Sequence, residues 1–279
     1  MCLGILFFSL NDVMGKWLMS TYTVGQVLFL RSGAAMLVLL PFVFKEGFGN
    51  LVSAPNTGLQ ITRMAFGTLE TACFYWAVAY LPLVSVMTYY LAAPLYVAAI
   101  APFLLKERMD TSRWIAVLVG FAGVLMVLKP SAETLTAPAL IAIIGSMLFA
   151  GLILSTRLLK GTPSLNLIVW QTMGALIFGA LLLPFGWVQP SLRDFGLLSL
   201  LGLVAMLAHV LVAKALQIAP AAVVSPFQYT LIVWAVLFGW LIFDEWPDNW
   251  MIFGAVVIVA SGLYLLWREG KTEPATPES

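Results

Sequence analysis

The segment Tyr80–Arg108 reads YLPLVSVMTYYLAAPLYVAAIAPFLLKER, which is a Leu-Pro turn, about twenty apolar residues and a closing cluster of charges. A second segment, Ile218–Trp246, reads IAPAAVVSPFQYTLIVWAVLFGWLIFDEW and follows the same plan. In each copy a proline lies 25 residues before a glutamate, and the two copies are offset by 138 residues. The matched pairs are Pro82 with Glu107 and Pro220 with Glu245. The matched positions predict an internal repeat, around which the rest of the chain is organised.

The composition excludes an ordinary soluble domain. The chain has 279 residues, of which 62% are hydrophobic and only 10% are charged. A soluble fold with so little charge would expose large apolar patches and aggregate, whereas lipid removes that difficulty. The net charge of +1 indicates no nucleic-acid partner. Cys2 and Cys73 both fall in apolar segments and form neither a disulfide framework nor a zinc-ligand spacing.

Ten apolar runs approach the roughly 20 residues that a helix needs to cross a bilayer. Backbone groups in lipid must satisfy their own hydrogen bonds, so these runs are predicted to be helices of an all-α, polytopic membrane protein. Asn11, Asp12 and Lys16 in the first run are untypical of a signal peptide, so we expect a retained helix. The runs are Leu3–Ser20, Val24–Phe44, Gly58–Tyr80, Val84–Leu105, Arg113–Lys129, Pro138–Leu159, Leu165–Phe185, Asp194–Gln217, Ala222–Phe243 and Asn249–Trp267.

The runs divide into two halves of opposite orientation. Residues 1–130 form a first five-helix repeat, residues 131–268 form a second, and residues 269–279 form a polar, disordered tail. Five is an odd number, so the second repeat is inverted, an architecture common among alternating-access transporters. A cytoplasmic N-terminus places ten basic residues inside and three outside. We therefore expect both termini in the cytoplasm, most simply at a bacterial inner membrane.

The segments AYLPLVSVMTYYLAAPLYVAAIAPFLLKER and APAAVVSPFQYTLIVWAVLFGWLIFDE are each followed by a short, glycine-bearing final helix. From about Leu3 to Trp267, the chain resembles the EamA-type drug/metabolite transporters. The resemblance implies ten helices around a central cavity lined mainly by helices 1, 3, 4, 6, 8 and 9, with helices 5 and 10 as supports. It also implies a small organic substrate, such as an amino acid, a nucleobase-type compound or a vitamin.

Charged residues inside the first two runs are candidate functional groups. Asn11 and Asp12 lie near the middle of the first run, and Arg31 lies about two turns into the second. A charge at mid-membrane costs about 2.5–3.5 kcal/mol, and less when it is paired or hydrated. We therefore expect an Asp12–Arg31 ion pair, with Lys16 as a competitor for Asp12. Such a pair either fixes the helical hairpin or takes part in substrate binding or proton coupling.

Glu70 and His209 are the titratable candidates in the two halves. Glu70 lies at the centre of the third run with no other charge within six residues. It can carry a proton, bind the cationic part of a substrate, or pack as a hydrogen-bonded neutral group. His209, the only histidine, matches Thr71 at the offset of 138 and suits either a proton relay or packing. Since no second ligand lies at a suitable spacing, no metal site is expected.

Aromatic and amide side chains gather where a cavity is expected, and rings with polar tips suit an organic substrate. Half of such a set is typically packing or interfacial belt. The strongest candidates lie in the middle of the two paired copies, and they are Tyr89, Tyr90, Gln228 and Tyr229. Tyr75, Trp170 and Gln171 are further candidates.

Prolines inside the paired copies are candidate hinges. Pro94, Pro102 and Pro226 each remove a backbone donor and favour a kink. Such breaks often lie beside the binding site of a transporter, although a fixed bend is the simpler interpretation.

Motifs of enzymes and of ATP-driven pumps do not occur in the sequence: it contains no GxxxxGK[ST], GxSxG or HExxH. The sequence therefore predicts a secondary transporter without a cofactor, which moves an amino acid or a similar solute, with protons as the candidate coupling ion. Its expected surroundings are the lipid bilayer, as a monomer or a homodimer. The alternatives from other classes are a channel-like facilitator and an integral-membrane enzyme that acts on lipid.

Overall fold

The computed structural model describes residues 2–47, 56–105, 111–128, 136–159, 161–218 and 230–272, which together form eleven α-helices and one 3-10 turn. Several residues singled out from the sequence lie outside this described part. They are Glu107, Pro220, Pro226, Gln228 and Tyr229.

The helices follow the predicted apolar runs closely. The first half contains α1 (Cys2–Met19), α2 (Val24–Glu46), α3 (Thr57–Val78), α4 (Leu83–Tyr90), α5 (Ala93–Leu105) and α6 (Thr111–Leu128). The second half contains α7 (Ala137–Leu158), α8 (Ser164–Leu182), α9 (Leu192–Ile218), α10 (Thr230–Phe243) and α11 (Asn249–Thr272). The 3-10 turn Leu183–Phe185 extends α8.

The fourth predicted run is divided into two helices by a short turn, and the predicted hinge residue Pro94 lies directly after this turn. Helix α4 ends at Tyr90 and α5 begins at Ala93. Between them, the Leu91 N–H donates to the Met87 carbonyl at 3.0 Å and the Ala92 N–H donates to the Tyr89 carbonyl at 3.1 Å. Pro94 has no N–H to continue the helical ladder, which explains a break at this position. Helix α5 then continues through Pro102.

The outer surface of the bundle is apolar. Leu37, Leu118 and Phe253 are among the large side chains exposed there. Among the described residues, four helices are long and apolar enough to cross a bilayer, and further apolar helices are shorter. The four spans are Val24–Lys45, Ala137–Leu158, Ser164–Phe185 and Leu192–Val212. The predicted all-helical membrane architecture is confirmed in this form, whereas the number of ten spans stays a prediction.

The packing partners occur in matched sets. Helix α3 packs on α7, and α9 packs in the same way on α1. Helix α2 packs on α9 and α8 packs on α3, while α5 contacts α7 and α10 contacts α1. Two pairs join equivalent helices of the two halves directly, namely α2 with α8 and α6 with α11. Exchanging the first five predicted spans with the second five leaves this pattern unchanged.

One face of the bundle is tied across the two halves, and we name it the Lys16 face. Lys16 at the end of α1 forms an ion pair with Glu245, which follows α10. Glu245 also accepts a hydrogen bond from the Leu83 N–H at the start of α4, at 2.8 Å. The Tyr22 hydroxyl donates to Asp194 at 2.7 Å, so the α1–α2 turn is joined to the start of α9.

The C-terminal helix is longer than predicted. Helix α11 continues to Thr272, so residues 269–272, which were assigned to a disordered tail, are helical. Each residue added to a helix adds a backbone hydrogen bond, so the helix can continue for a few residues beyond the end of the apolar run.

Candidate functional site

A polar cavity of about 50 Å³ lies inside the bundle, between α2, α3, α8 and α9. The lining positions on α8 and α9 have the i, i+3, i+4, i+7 spacing of a single helix face. The lining residues are Arg31, Ser32, Ala35, Arg63, Thr71, Ile168, Gln171, Thr172, Ala175, Gly202, Ala205, Met206 and His209.

The lining differs from the one implied by the family resemblance. That resemblance implied helices 1, 3, 4, 6, 8 and 9, whereas the described residues that surround this cavity belong to the second, third, seventh and eighth predicted spans. At one edge of the cavity, the backbone of α9 at Gly202 lies against the main-chain carbonyl of Arg31. A Cβ atom at position 202 would overlap that carbonyl, so only glycine lets α9 approach α2 here.

Arg31 extends from α2 toward α3. Its Nη1 donates to the hydroxyl of Tyr75, and its guanidinium lies 5.3 Å from the centroid of the Tyr75 ring. The Tyr75 side chain is fully buried and packs against Gly15 of α1. Tyr75 therefore fixes one of the two guanidinium groups that border the cavity.

Asp12 and Glu70, which we name the acid pair, lie beside Arg31 on the neighbouring helices α1 and α3. Arg31 interacts electrostatically with both carboxyl groups, and the two carboxyl groups interact with each other. The prediction that Asp12 and Arg31 form an ion pair was wrong, because the two side chains interact only at longer range. Among the described residues, the ion pair that forms joins Lys16 to Glu245. Arg31 reaches Tyr75 instead, and Lys16 points to the end of the bundle rather than to Asp12.

Glu70 is linked to the cavity through its neighbour in sequence. The Thr71 hydroxyl, which borders the cavity, lies 3.1 Å from Glu70 Oε2 and 2.8 Å from the Gly67 carbonyl. The main-chain carbonyl of Glu70 accepts a hydrogen bond from the Tyr90 hydroxyl at 3.2 Å. Glu70 is thus held beside the cavity wall.

Arg63 lines the cavity although it was not among the predicted site residues. Its Nε donates to the Thr156 hydroxyl at 2.8 Å, and its Nη1 donates to the Leu167 carbonyl at 3.1 Å. A signal was available: Arg63 lies about two helical turns from Glu70 on the same face of one helix.

His209 lies on the α9 side of the cavity, within electrostatic range of both Arg31 and Arg63. Its ring meets the edge of Phe8 at a centroid distance of 4.8 Å. The half-buried imidazole thus packs on Phe8 of α1 and lies close enough to both arginines to interact with their charges. The structure brings together Arg31, Gln171 and His209 from the predicted set.

Gln171 presents an unusual buried acceptor. Its Oε1 is buried and has no hydrogen-bond partner among the described residues. Its amide packs directly on Gly67 of α3, where a Cβ atom would overlap it. Gly67 is therefore the reason that this amide fits beside the cavity.

The predicted aromatic residues that the structure describes lie apart from the cavity lining. Tyr90 is buried against Gly145 of α7 and meets Phe74 edge-on at 5.6 Å between centroids. Tyr89 is buried in the core next to it, and Trp170 is half-buried on α8. Of these side chains, Tyr90 lies beside the acid pair, since its hydroxyl donates to the main-chain carbonyl of Glu70.

Asn11 joins two helices. Its Nδ2 donates to the Leu201 carbonyl of α9 at 3.0 Å, in a buried position beside Gly202. The contact fixes α1 to α9 and thereby supports the cavity wall. In the part of the chain that the structure describes, no group of three or more histidine, cysteine and acidic residues lies close enough to hold a metal ion.

Comparison with known proteins identifies the architecture. The sequence model of the EamA-like transporter family matches residues 1–129 and 137–267. The chain belongs to the EamA-like transporter family. The family and its named members are transporters and not enzymes, and the apolar helices agree with an integral membrane protein.

Relatives of this EamA-like protein cover almost its whole length. It is 27% identical to the S-adenosylmethionine uptake transporter of Rickettsia prowazekii, over 99% of this chain and 94% of that protein. It is also 27% identical to the riboflavin transporter of Rhizobium johnstonii (98% and 91% covered) and to the pseudopaline exporter of Pseudomonas aeruginosa (92% and 91% covered). One solved crystal structure superposes with a TM-score of 0.66 at 14% identity, over 95% of this chain and 97% of that one, which shows a shared fold.

Proposed function

We propose that this protein is a secondary active transporter that moves a small organic metabolite, an amino acid or a similar polar or amphipathic solute, by alternating access. The observation that carries the proposal is the polar cavity inside an apolar bundle, where Arg31 and Arg63 of the first half face Gln171 and His209 of the second. Intramembrane charges that face an interior cavity typically mark a substrate or ion pathway.

The arrangement of the halves supports alternating access. The matched packing of α1 to α6 and α7 to α11 is what two inverted repeats would produce, and the family model matches the chain in two segments. Residues 1–130 and 131–268 are the proposed repeats. In such transporters the halves rock against each other around a site near the midplane. The cavity of about 50 Å³ has room for only a few water molecules. The proposed cycle therefore includes a wider state, since organic ligands typically occupy about 300–1,000 Å³.

Protons are the proposed coupling ion. The acid pair lies beside Arg31, and Glu70 contacts the lining residue Thr71. A carboxyl group that exchanges a proton here would change the charge next to the cavity. Coupling would follow because substrate binding and protonation then affect the same arginine.

Transport in proteoliposomes tests the proposed function. Purified protein is reconstituted, and flux of metabolites from a deproteinised bacterial extract is followed by mass spectrometry in both directions, with and without an imposed proton gradient. We expect at least one small organic solute to accumulate against its gradient when the proton gradient is present. Protein-free liposomes are the control. Equilibration without accumulation would establish a channel-like facilitator, and no flux under any condition would contradict transport.

A further inference from the structure

We infer that the transported solute carries a carboxylate group, and that this carboxylate binds in the polar cavity between Arg31 and Arg63, beside His209. The inference rests on the proposed transport function and specifies the chemical class of its substrate. Of the described residues that line the cavity, two are arginines, one is a histidine and none is acidic. The lining therefore carries positive charge that an anionic group would neutralise.

The two arginines are held in place from outside the cavity. Tyr75 accepts a hydrogen bond from Nη1 of Arg31, while Thr156 and the Leu167 carbonyl accept from Nε and Nη1 of Arg63. A guanidinium has five N–H donors in a rigid plane, which suits bidentate binding of a carboxylate. Nη2 of each arginine takes no part in these bonds. Both groups are therefore positioned before a substrate arrives.

The charges around the two arginines differ. Arg31 lies within electrostatic range of two carboxyl groups, those of Asp12 and Glu70. For Arg63, the described residues provide a hydroxyl and a main-chain carbonyl as partners, and the ion pair that they contain is elsewhere, between Lys16 and Glu245. A half-buried cation without a carboxylate partner is costly inside a membrane protein. A substrate carboxylate would supply that partner.

Gln171 indicates a second feature of the proposed substrate, a hydrogen-bond donor near its carboxylate. Gln171 lines the same cavity, and its buried Oε1 accepts no hydrogen bond from the described residues. A buried acceptor without a donor lowers stability by about as much as a lost hydrogen bond, so a ligand that donates to it gains affinity. An N–H or O–H group near the carboxylate would make this contact. The best-fitting substrates are therefore amino acids, hydroxy acids and larger molecules that contain such a unit.

The test compares two forms of one metabolite pool. A deproteinised bacterial extract is divided, and the carboxylates of one aliquot are blocked as methylamides. Each aliquot, and inorganic phosphate alone, is added to the purified full chain, and thermal unfolding is recorded. We expect the untreated aliquot to raise the melting temperature and the blocked aliquot and phosphate to leave it unchanged, because a ligand stabilises the state that it binds. Equal stabilisation by both aliquots would overturn the inference, as would stabilisation by phosphate alone.

Variants place the contact at the cavity. Arg63→Gln is expected to weaken binding of the stabilising fraction about 10- to 100-fold, the loss typical of a charge-assisted hydrogen bond. The matched control is Arg157→Gln, on the last turn of α7 and outside the lining, which is expected to bind as the unchanged protein does. Unchanged binding by Arg63→Gln would contradict the site. If that variant does not fold, the comparison of the two aliquots on the unchanged protein still decides the carboxylate class.

The transport assay separates this inference from the proposed function. Accumulation of a neutral or cationic solute without a carboxylate, at the same rate in Arg63→Gln, would leave the transporter in place and refute the carboxylate site. No stabilisation by either aliquot and no flux of any metabolite would contradict the proposed function itself.

Discussion

Glu70 shows how a single residue can be recognised in the sequence while its neighbours are not. A carboxylate in the middle of an apolar run is conspicuous in any membrane protein. Thr71 is its neighbour in sequence, but Arg31 and Asp12, with which it interacts electrostatically, lie on two other helices and reach it through packing. The residue type was therefore predictable, whereas its partners depend on how α1, α2 and α3 are rotated about their axes.

Replacing Glu70 tests proton coupling. Glu70→Gln keeps the shape and the contact with Thr71 but removes the titrating group. One coupled proton contributes about 2.3 kcal/mol at a membrane potential of about 100 mV, which is roughly 50-fold accumulation. We expect this accumulation to be lost in Glu70→Gln, while exchange of substrate across the membrane without a gradient is retained. Proteoliposome uptake with and without the potential measures both quantities.

The control for that variant is Asp194→Asn. Asp194 lies at the start of α9, where it binds Tyr22 and Ser191 away from the cavity. Accumulation driven by protons is expected to persist in this control. Full coupling in Glu70→Gln would eliminate Glu70 as the proton carrier, and loss of exchange as well would indicate a binding role.

Gly67 is a second residue whose role can be tested by a single substitution, because what matters is that it has no Cβ atom. Its missing side chain makes room for the Gln171 amide, and a methyl group there would displace that amide. We expect Gly67→Ala to reduce the rate of uptake roughly fivefold, the effect of losing a hydrogen bond of about 1 kcal/mol. Thermal stability should change little, because the displaced atoms are the end of a flexible side chain. Uptake and melting are measured on the same preparation.

Gly33→Ala on α2 is the matched control. A Cβ atom at position 33 would meet only Leu176 Cδ1 at 3.8 Å, an ordinary van der Waals distance. Uptake by this variant should equal that of the unchanged protein. Equal uptake by Gly67→Ala would mean that the position of Gln171 does not matter for transport.

At the scale of elements, the break between α4 and α5 could be predicted from the sequence, whereas the ion pair on the Lys16 face could not. The break was indicated by Pro94, whose missing N–H has a purely local consequence. The ion pair of Lys16 with Glu245 joins residues 229 positions apart and was not predicted. Long-range side-chain partners depend on which helix ends meet, and a repeat in one sequence does not specify this.

Glu245 is expected to stabilise the junction of α1, α4 and α10. It binds Lys16 and the Leu83 N–H, and the two charged side chains are only 12% and 23% exposed. Glu245→Ala leaves the half-buried Lys16 without its carboxylate partner and the Leu83 N–H without its acceptor. We expect a loss of about 1–3 kcal/mol of stability, seen as a melting temperature several degrees lower.

The neighbouring exposed acid provides the comparison for that measurement. Asp244 has a positive φ of 55°, which asparagine also tolerates. The melting temperature of Asp244→Asn should therefore equal that of the unchanged protein. Identical melting of Glu245→Ala would show that the junction contributes no net stability.

At the scale of the whole molecule, orientation in the membrane is a prediction from the distribution of lysine and arginine. A cytoplasmic N-terminus places ten basic residues inside and three outside, which would put the Lys16 face outside. A fluorescent protein fused to the C-terminus should therefore fluoresce, because it folds in the cytoplasm. Alkaline phosphatase at the same position should be inactive.

A fusion after Asp244 serves as the internal control. Asp244 directly follows the C-terminal end of α10, on the Lys16 face, which is predicted to lie on the other side of the membrane from the C-terminus of the chain. At that point phosphatase should be active and the fluorescent protein dark. The reverse pattern at both positions would invert the proposed topology.

The sequence by itself determined the helical membrane architecture and the family. Apolar runs of bilayer length have no alternative to helix in lipid, so composition and run length were sufficient for most helix bounds. The repeat of Tyr80–Arg108 in Ile218–Trp246 likewise depends on spacing along one chain.

The tertiary structure alone decided which polar groups share a cavity. Rotation of each helix about its axis is set by close packing, such as Gly202 against the Arg31 carbonyl and the Gln171 amide against Gly67. That packing brought Arg63 into the cavity lining and turned Arg31 toward Tyr75 instead of into contact with Asp12. Depth in the membrane is encoded by position in the sequence, but the direction in which a side chain points depends on its neighbours in space.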